Sequence, residues 1–343
     1  MVTDGVVPPA GEGGLLAVHA HPDDETLSTG ALLATWAAAG RPVTVVTCTR
    51  GEQGEVIGSR LAHLEGDGPA LAAHREGELA DALEALGVGE HTFLDALRAP
   101  PAAGGRTRYA DSGMAWAGVA RAAAAEHLPD GAFVGVDVDA AAGDLARLIR
   151  RRRPDVVVGY EPGGGYGHPD HVQAHRVMQR ALDLAQLDVT GTARTGDEPW
   201  RVPVVLWSVL PVEELRVGLA AMSSFAAPGL RLPDPAGPVP ACAVPGAEVD
   251  VRVDVRPVAS AVVGAMRAHA TQIQAVRVVD EVARTPGAGT AAIDPAGLVL
   301  GSRALSDGVL QPVLAAEAYR YAHGWQPRPV AWPAGVTAVR WPA

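Results

Sequence analysis

Two short stretches of this chain hold the residues best suited to chemistry. One is His21-Pro22-Asp23-Asp24; the other, far along the chain, is His168-Pro169-Asp170-His171. Zinc accepts imidazole nitrogen and carboxylate oxygen, and a catalytic zinc keeps three protein ligands and one open position. His21, Asp24 and His171 supply such a set. A cation there lowers the pKa of a bound water to roughly 7, so that hydroxide is available at neutral pH. Metal availability decides occupancy, and Fe(II) would also suit these ligands. Asp23, beside a ligand, is placed to act as a general base. His168 could stabilise a tetrahedral oxyanion or protonate a leaving amine. Asp170 could orient His168 and balance its charge. Tyr166, between Gly165 and Gly167, could hydrogen-bond a substrate carbonyl.

Taken singly, these residues have plainer readings. Asp23 or Asp24 could cap the helix that starts near Glu25, and His168 and His171 could be ordinary loop histidines. Two His-Pro-Asp turns, each between an apolar strand and a helix, are harder to credit to capping. His19 alternates with His21 and reads as structural. His269, in Ala268-His269-Ala270-Thr271-Gln272, reads as a satisfied core histidine.

The turns need elements to hold them. Residues 14–20 read as a strand, 26–39 as a helix closed by Gly40, and 42–48 as a β-branched strand, which makes a right-handed βαβ unit. A helix at 70–86, a strand at 91–95, a helix at 138–152, strands at 156–160 and 202–210 and a helix at 172–186 continue the alternation. Residues 97–136 read as an irregular connection with a possible helix near 115–127. Arg150 to Arg153 read as cations at a helix C-terminus. Both turns follow strands of one parallel sheet, so both fall on its carboxyl edge, where ligands bind.

This reading gives an α/β class: a mostly parallel sheet with helices on both faces and a smaller C-terminal α+β portion. The expected division is a flexible N-terminus at 1–12, a core at 13–224 and a C-terminal portion at 225–343. That portion holds a Pro/Gly-rich loop at 225–248, a hairpin of 241–244 with 249–255, and a helix at 257–273. From Asp280 on, no element is read. Apolar residues make up 48% of the 343, which supports a sizeable core. The net charge of −11 argues against nucleic acid or an anionic membrane as partner. Two cysteines, Cys48 and Cys242, exclude a disulfide framework. No signal peptide or membrane span is evident, so the expected location is cytoplasmic. The sequence carries no signal for an oligomeric state.

Ala20-His21-Pro22-Asp23-Asp24-Glu25 with Gly167-His168-Pro169-Asp170-His171 resembles the LmbE-like, or PIG-L, zinc deacetylases, which act on N-acetylglucosamine conjugates. The resemblance implies a Rossmann-like fold, with zinc on His21, Asp24 and His171, the base on Asp23, and the oxyanion or acid role on His168. Further stretches are similar to the branch of that family that serves mycothiol biosynthesis by deacetylating N-acetylglucosaminyl-inositol. They include Thr47-Cys48-Thr49-Arg50-Gly51-Glu52, Gly54-Glu55-Val56-Ile57-Gly58, Arg75-Glu76-Gly77-Glu78-Leu79 and Asp111-Ser112-Gly113-Met114. An S-conjugate amidase with the same two metal loops is the neighbouring alternative. The resemblance also implies a sugar and inositol site at Arg75, Asp111 and Glu55, with Ser28, Met114 and Tyr166 nearby.

Overall fold

The structure is a computed structural model and describes residues 14–98, 108–116, 122–124, 127–187, 198–279 and 297–340. The expected flexible N-terminus at 1–12 lies outside them. Through the first two thirds of the chain the elements are β1 (Leu15–His19), α1 (Asp24–Ala38), β2 (Val43–Thr47), α2 (Gly68–Leu86), β3 (Glu90–Phe93), β4 (Met114–Trp116), β5 (Ala122–Ala124), α3 (Val138–Arg152), β6 (Val156–Tyr160), α4 (Pro169–Ala185), β7 (Val204–Pro211) and α5 (Val212–Ala221). After them come β8 (Ala243–Val244), β9 (Val251–Asp254), α6 (Ala259–Ala268), β10 (Gln274–Val278), β11 (Val299–Ala304), β12 (Leu310–Leu314), β13 (Ala316–Tyr321) and β14 (Val336–Ala338).

The main sheet runs β14-β9-β13-β7-β6-β1-β2-β3. From β7 to β3 every pairing is parallel. β1, β2 and β6 are buried at all five positions, as a parallel sheet covered on both faces requires. Alternation then sorts the side chains. Leu15, Ala17, Val43 and Val45 meet α1, α2 and α6 on one face. Leu16, Val18, Val46 and Val157 meet α3 and α4 on the other. β1 lies between β2 and β6, so the chain leaves it to one side and returns on the other. The carboxyl ends of β1 and β6 therefore form a topological switch point, the usual ligand crevice of open α/β sheets.

Three expectations need correction. The possible helix near 115–127 is replaced, among the described residues, by β4 and β5, which pair antiparallel from Met114↔Ala124 to Trp116↔Ala122. Alanine's helix propensity is weak enough for tertiary pairing to override it. The hairpin of 241–244 with 249–255 does not form. β8 instead pairs parallel with β7, while β9 slots between β13 and β14. Its burial alternates along Val251–Asp254, as expected of a strand, but its partners come from beyond residue 315. The helix expected at 257–273 ends at Ala268, with His269 as its C-terminal flank.

The C-terminal elements do more than extend the sheet. Glu317 of β13 accepts the backbone N–H groups of Ala31 and Leu32 in α1 at 2.7 and 2.9 Å. α1 is thus tied through its middle to a strand three places away from β1. Among the described residues no helix is long and apolar enough to cross a membrane.

Candidate active site

The first turn follows β1. The His21 N–H donates to Asp24 Oδ2 at 2.9 Å, and His21 Nδ1 lies 3.3 Å from the same oxygen. Asp24 is the first residue of α1 and faces the second turn, with Oδ1 3.3 Å from His171 Nε2. The His21 and His171 ring centroids are 5.4 Å apart. One nitrogen from each of His21, His168 and His171 lie within 4.8 Å of one another, as do donor atoms of His21, Asp111 and Asp170. Asp24 therefore sits between the two imidazoles of the expected ligand set, and His168 closes against them.

Tyr160, the last residue of β6, joins the two strand ends. Its hydroxyl accepts the Ala20 N–H at 2.9 Å, and its ring stacks on His171 at 4.2 Å. These donors fit a divalent cation. Both ring nitrogens of His171 are buried without a hydrogen bond, a costly state for a polar ring with neither its N–H nor its lone pair matched. Burial opposes the His21 cation, yet Asp111, Asp170 and Asp24 hold its pKa well above 6.5. Burial likewise opposes the Asp24 anion, and His171 and His21 still keep that carboxyl well below its usual range. The local potential favours positive charge.

Asp23 occupies the N-cap position of α1, but with φ 117° and no side-chain capping bond. The plain capping reading is therefore not what the geometry shows. Burial pushes its carboxyl up to about 6, opposed chiefly by the Arg75 guanidinium.

His168 is the N-cap of α4, and its Nδ1 accepts the Asp170 N–H at 3.1 Å. A ring that accepts at Nδ1 carries its neutral-state proton on Nε2. Burial, then the imidazoles of His21 and His171, bring its pKa down to about 2. The expectation that the Asp170 carboxylate orients His168 is not what the structure shows. That carboxylate is fully buried, accepts Ser112 N–H at 2.9 Å and Ser112 Oγ–H at 2.5 Å, and lies 3.2 Å from His21 Nε2. It orients the first turn, and only its backbone serves His168.

Tyr166 is half-buried, its ring edge-on to His171 at 5.1 Å. Burial, with Asp24, Asp23 and Asp111, holds its pKa well above 10, so it remains a phenol able to donate. Its loop is braced by Gly165, whose N–H donates to Glu161 Oε1 at 2.7 Å and whose carbonyl accepts the Cys242 N–H at 2.9 Å. The Pro/Gly-rich 225–248 stretch thus supports the Tyr166 loop.

The residues expected at the substrate divide. Asp111 is buried in the cluster, 3.5 Å from His21 Nε2, and accepts the Gly113 and Gln53 N–H groups. Met114 starts β4 and is half-buried. Glu55 is exposed beside a cavity of about 410 Å³ that it lines with Glu65, Gln274 and Ser306. Ser28 lies in α1, where its carbonyl accepts from Ser208 Oγ at 3.1 Å and Tyr319 Oη at 3.3 Å. Arg75 is only 2% exposed and is committed to protein acceptors, the carbonyls of Gly51 and Pro22. Gly51 has φ +67°, and a Cβ there would come within 2.1 Å of Arg75 Nη1.

Sequence reasoning missed Ser112 and Glu25. Ser112 had a signal in its place beside Asp111, but nothing pointed to Asp170 as its partner. Glu25 continues the acidic run of Asp23 and Asp24, and is fully buried against His269 at 2.7 Å. The core reading of His269 agrees with its full burial.

Residues 16–182 match the model of the family described as PIG-L, GlcNAc-PI de-N-acetylase. A 1D-myo-inositol 2-acetamido-2-deoxy-alpha-D-glucopyranoside deacetylase of Kineococcus radiotolerans is 44% identical over 90% of this chain and 77% of its own. The protein of that name from Rhodococcus opacus is 41% identical over 90% and 91%. The 4-carboxy-2-hydroxymuconate hydratase GalB of Pseudomonas putida shares the fold, with a TM-score of 0.50, 17% identity and coverage of 93% and 100%. The chain belongs to the PIG-L family and is a hydrolytic deacetylase.

Proposed function

We propose that this chain removes the N-acetyl group of N-acetylglucosaminyl-inositol, releasing acetate, with a zinc ion held by His21, Asp24 and His171. The substrate follows from the name its relatives carry, and Fe(II) is the competing metal. The observation that carries the metal reading is the buried His171 ring, unbonded at both nitrogens and facing Asp24. When bound, the cation supplies Lewis acidity to the substrate carbonyl and to the attacking water.

The protein's own groups supply the rest. Asp23 takes a proton from the water as it attacks the amide carbon, and returns one to the amine as the C–N bond breaks. His168, neutral, donates from Nε2 to the developing oxyanion, and the Tyr166 hydroxyl adds a second donor. Asp170, held by Ser112, fixes the His21 ring from behind, as a carboxylate partner of a ligand histidine does. Asp111 and Glu55, with Ser28 and Met114 nearby, are the residues assigned to the sugar and inositol hydroxyls. Arg75 acts through Asp23 and the Gly51 loop rather than on substrate.

Acetate release from N-acetylglucosaminyl-inositol, with metal analysis of the same sample, tests this. Zinc-dependent release faster than on a mycothiol S-conjugate is the expected result. Faster turnover of the conjugate would reassign the chain to the amidase, and no release from either would refute the proposal.

A further inference from the structure

The peptide between Pro22 and Asp23 is gripped from both ends. Its carbonyl accepts from Arg75 Nη2, and its N–H donates to Glu25 Oε2 at 2.9 Å. A cation thus holds the oxygen and an anion the N–H of one peptide group. The same peptide leads into the positive φ of Asp23, a strained conformation for a residue with a side chain, which persists only where its surroundings over-determine it.

Neither charge is free to drift. Arg75 Nη1 donates to the Gly51 carbonyl at 2.6 Å, and Nη2 lies 3.6 Å from Asp23 Oδ2. The second Glu25 oxygen accepts Thr26 Oγ1 at 2.6 Å and is 2.7 Å from His269 Nε2. His269 is anchored in turn, because Thr271 donates its N–H and Oγ1–H to the two carboxylate oxygens of Glu78 at 2.8 and 2.5 Å. Glu78 is one turn beyond Arg75 on α2. One jaw is mounted on that helix directly, the other through Thr271, His269 and Glu25.

We infer that Arg75, Glu25 and His269 form a clamp on the Pro22–Asp23 peptide that aims the Asp23 carboxylate, and that they are positioning residues for this base. The inference rests on the assignment of Asp23 as base. It makes the segment after α6, from the C-terminal third of the chain, part of the machinery at the first turn.

The test compares His269→Asn with His269→Gln, each alone and in an Asp23→Ala background, by steady-state kinetics and metal content. An asparagine amide is too short to reach Glu25; a glutamine amide can replace Nε2 as its donor. His269→Asn should lower kcat by about 10- to 100-fold, the usual scale for a lost supporting partner, with KM and metal content little changed. His269→Gln should recover most of the loss. In the Asp23→Ala background neither substitution should reduce the rate further. Equal rates for Asn and Gln variants, or losses that multiply with that of Asp23→Ala, would overturn the clamp while leaving the base assignment standing. A near-parent rate for Asp23→Ala alone would remove the base and the clamp's purpose together. If His269→Asn does not fold, Glu25→Gln takes its place, and it too should cause no further loss in the Asp23→Ala background.

Discussion

His21-Pro22-Asp23 and His168-Pro169-Asp170 are the same tripeptide in two backbone settings. In the first, the helix begins after the tripeptide, at Asp24, and Asp23 is left at φ 117° without a capping bond. In the second, Pro169 is itself the first helical residue, a position that suits its fixed φ, and His168 becomes the cap. This shift in where the helix starts exchanges the roles. The first aspartate stays half-buried beside Arg75, while the second is fully buried under Ser112 and His21. The two turns share a motif; helix register sets where each aspartate carboxylate sits.

Substitutions and metal removal test that contrast, starting with what both turns share. Chelation, or His171→Ala, should abolish activity with loss of the bound ion; full metal content and rate in His171→Ala would detach the second turn from the metal. Next, the two aspartates should part. Asp23→Ala should retain metal and lose about 10²–10⁴-fold in rate. Asp170→Ala should instead weaken metal binding by about 10–100-fold, since its carboxylate backs a ligand. If titration of metal into both variants gave the parent affinity, the contrast between the turns would fail.

Ser112→Ala comes third, with a loss of about tenfold through the released Asp170; a larger loss than for Asp170→Ala would mean that Ser112 acts on its own. Smallest is a pH effect remote from the turns. Burial pushes the His91 imidazole down to about 4, while Nε2 pairs with Thr47 Oγ1 at 3.0 Å. The unfolded chain takes up that proton near 6.5 and the folded chain only near 4. Stability is therefore complete above 6.5 and falls as pH drops toward 4. Melting curves of His91→Gln should show a shallower acid slope, and an unchanged slope would assign it elsewhere.

The parallel half of the sheet was legible because its strands are short, apolar and separated by amphipathic helices, and both turns sit at predictable strand ends. The C-terminal third was not. β9 alternates as a strand should, but its partners, β13 and β14, come from stretches without clear boundaries, so local pattern suggested a hairpin. At the site, residue types named the donors, yet they could not tell that the Asp170 carboxylate turns to His21. That choice depends on the placement of Ser112, which belongs to a segment with little regular structure. Arg75 was identified as a site residue but assigned to substrate, because its burial and its bonds to two loop carbonyls have no local signature.

The pairing of β13 with β7 bears on the order of assembly. A nascent chain ending near residue 224 already carries both His-Pro-Asp turns, but β7 is then an open, aggregation-prone edge. α1 lacks the Glu317 carboxylate, and Glu25 lacks His269. Edge protection and the bracing of the first turn both wait for segments synthesised well after the two turns, so a product truncated there would be prone to stick.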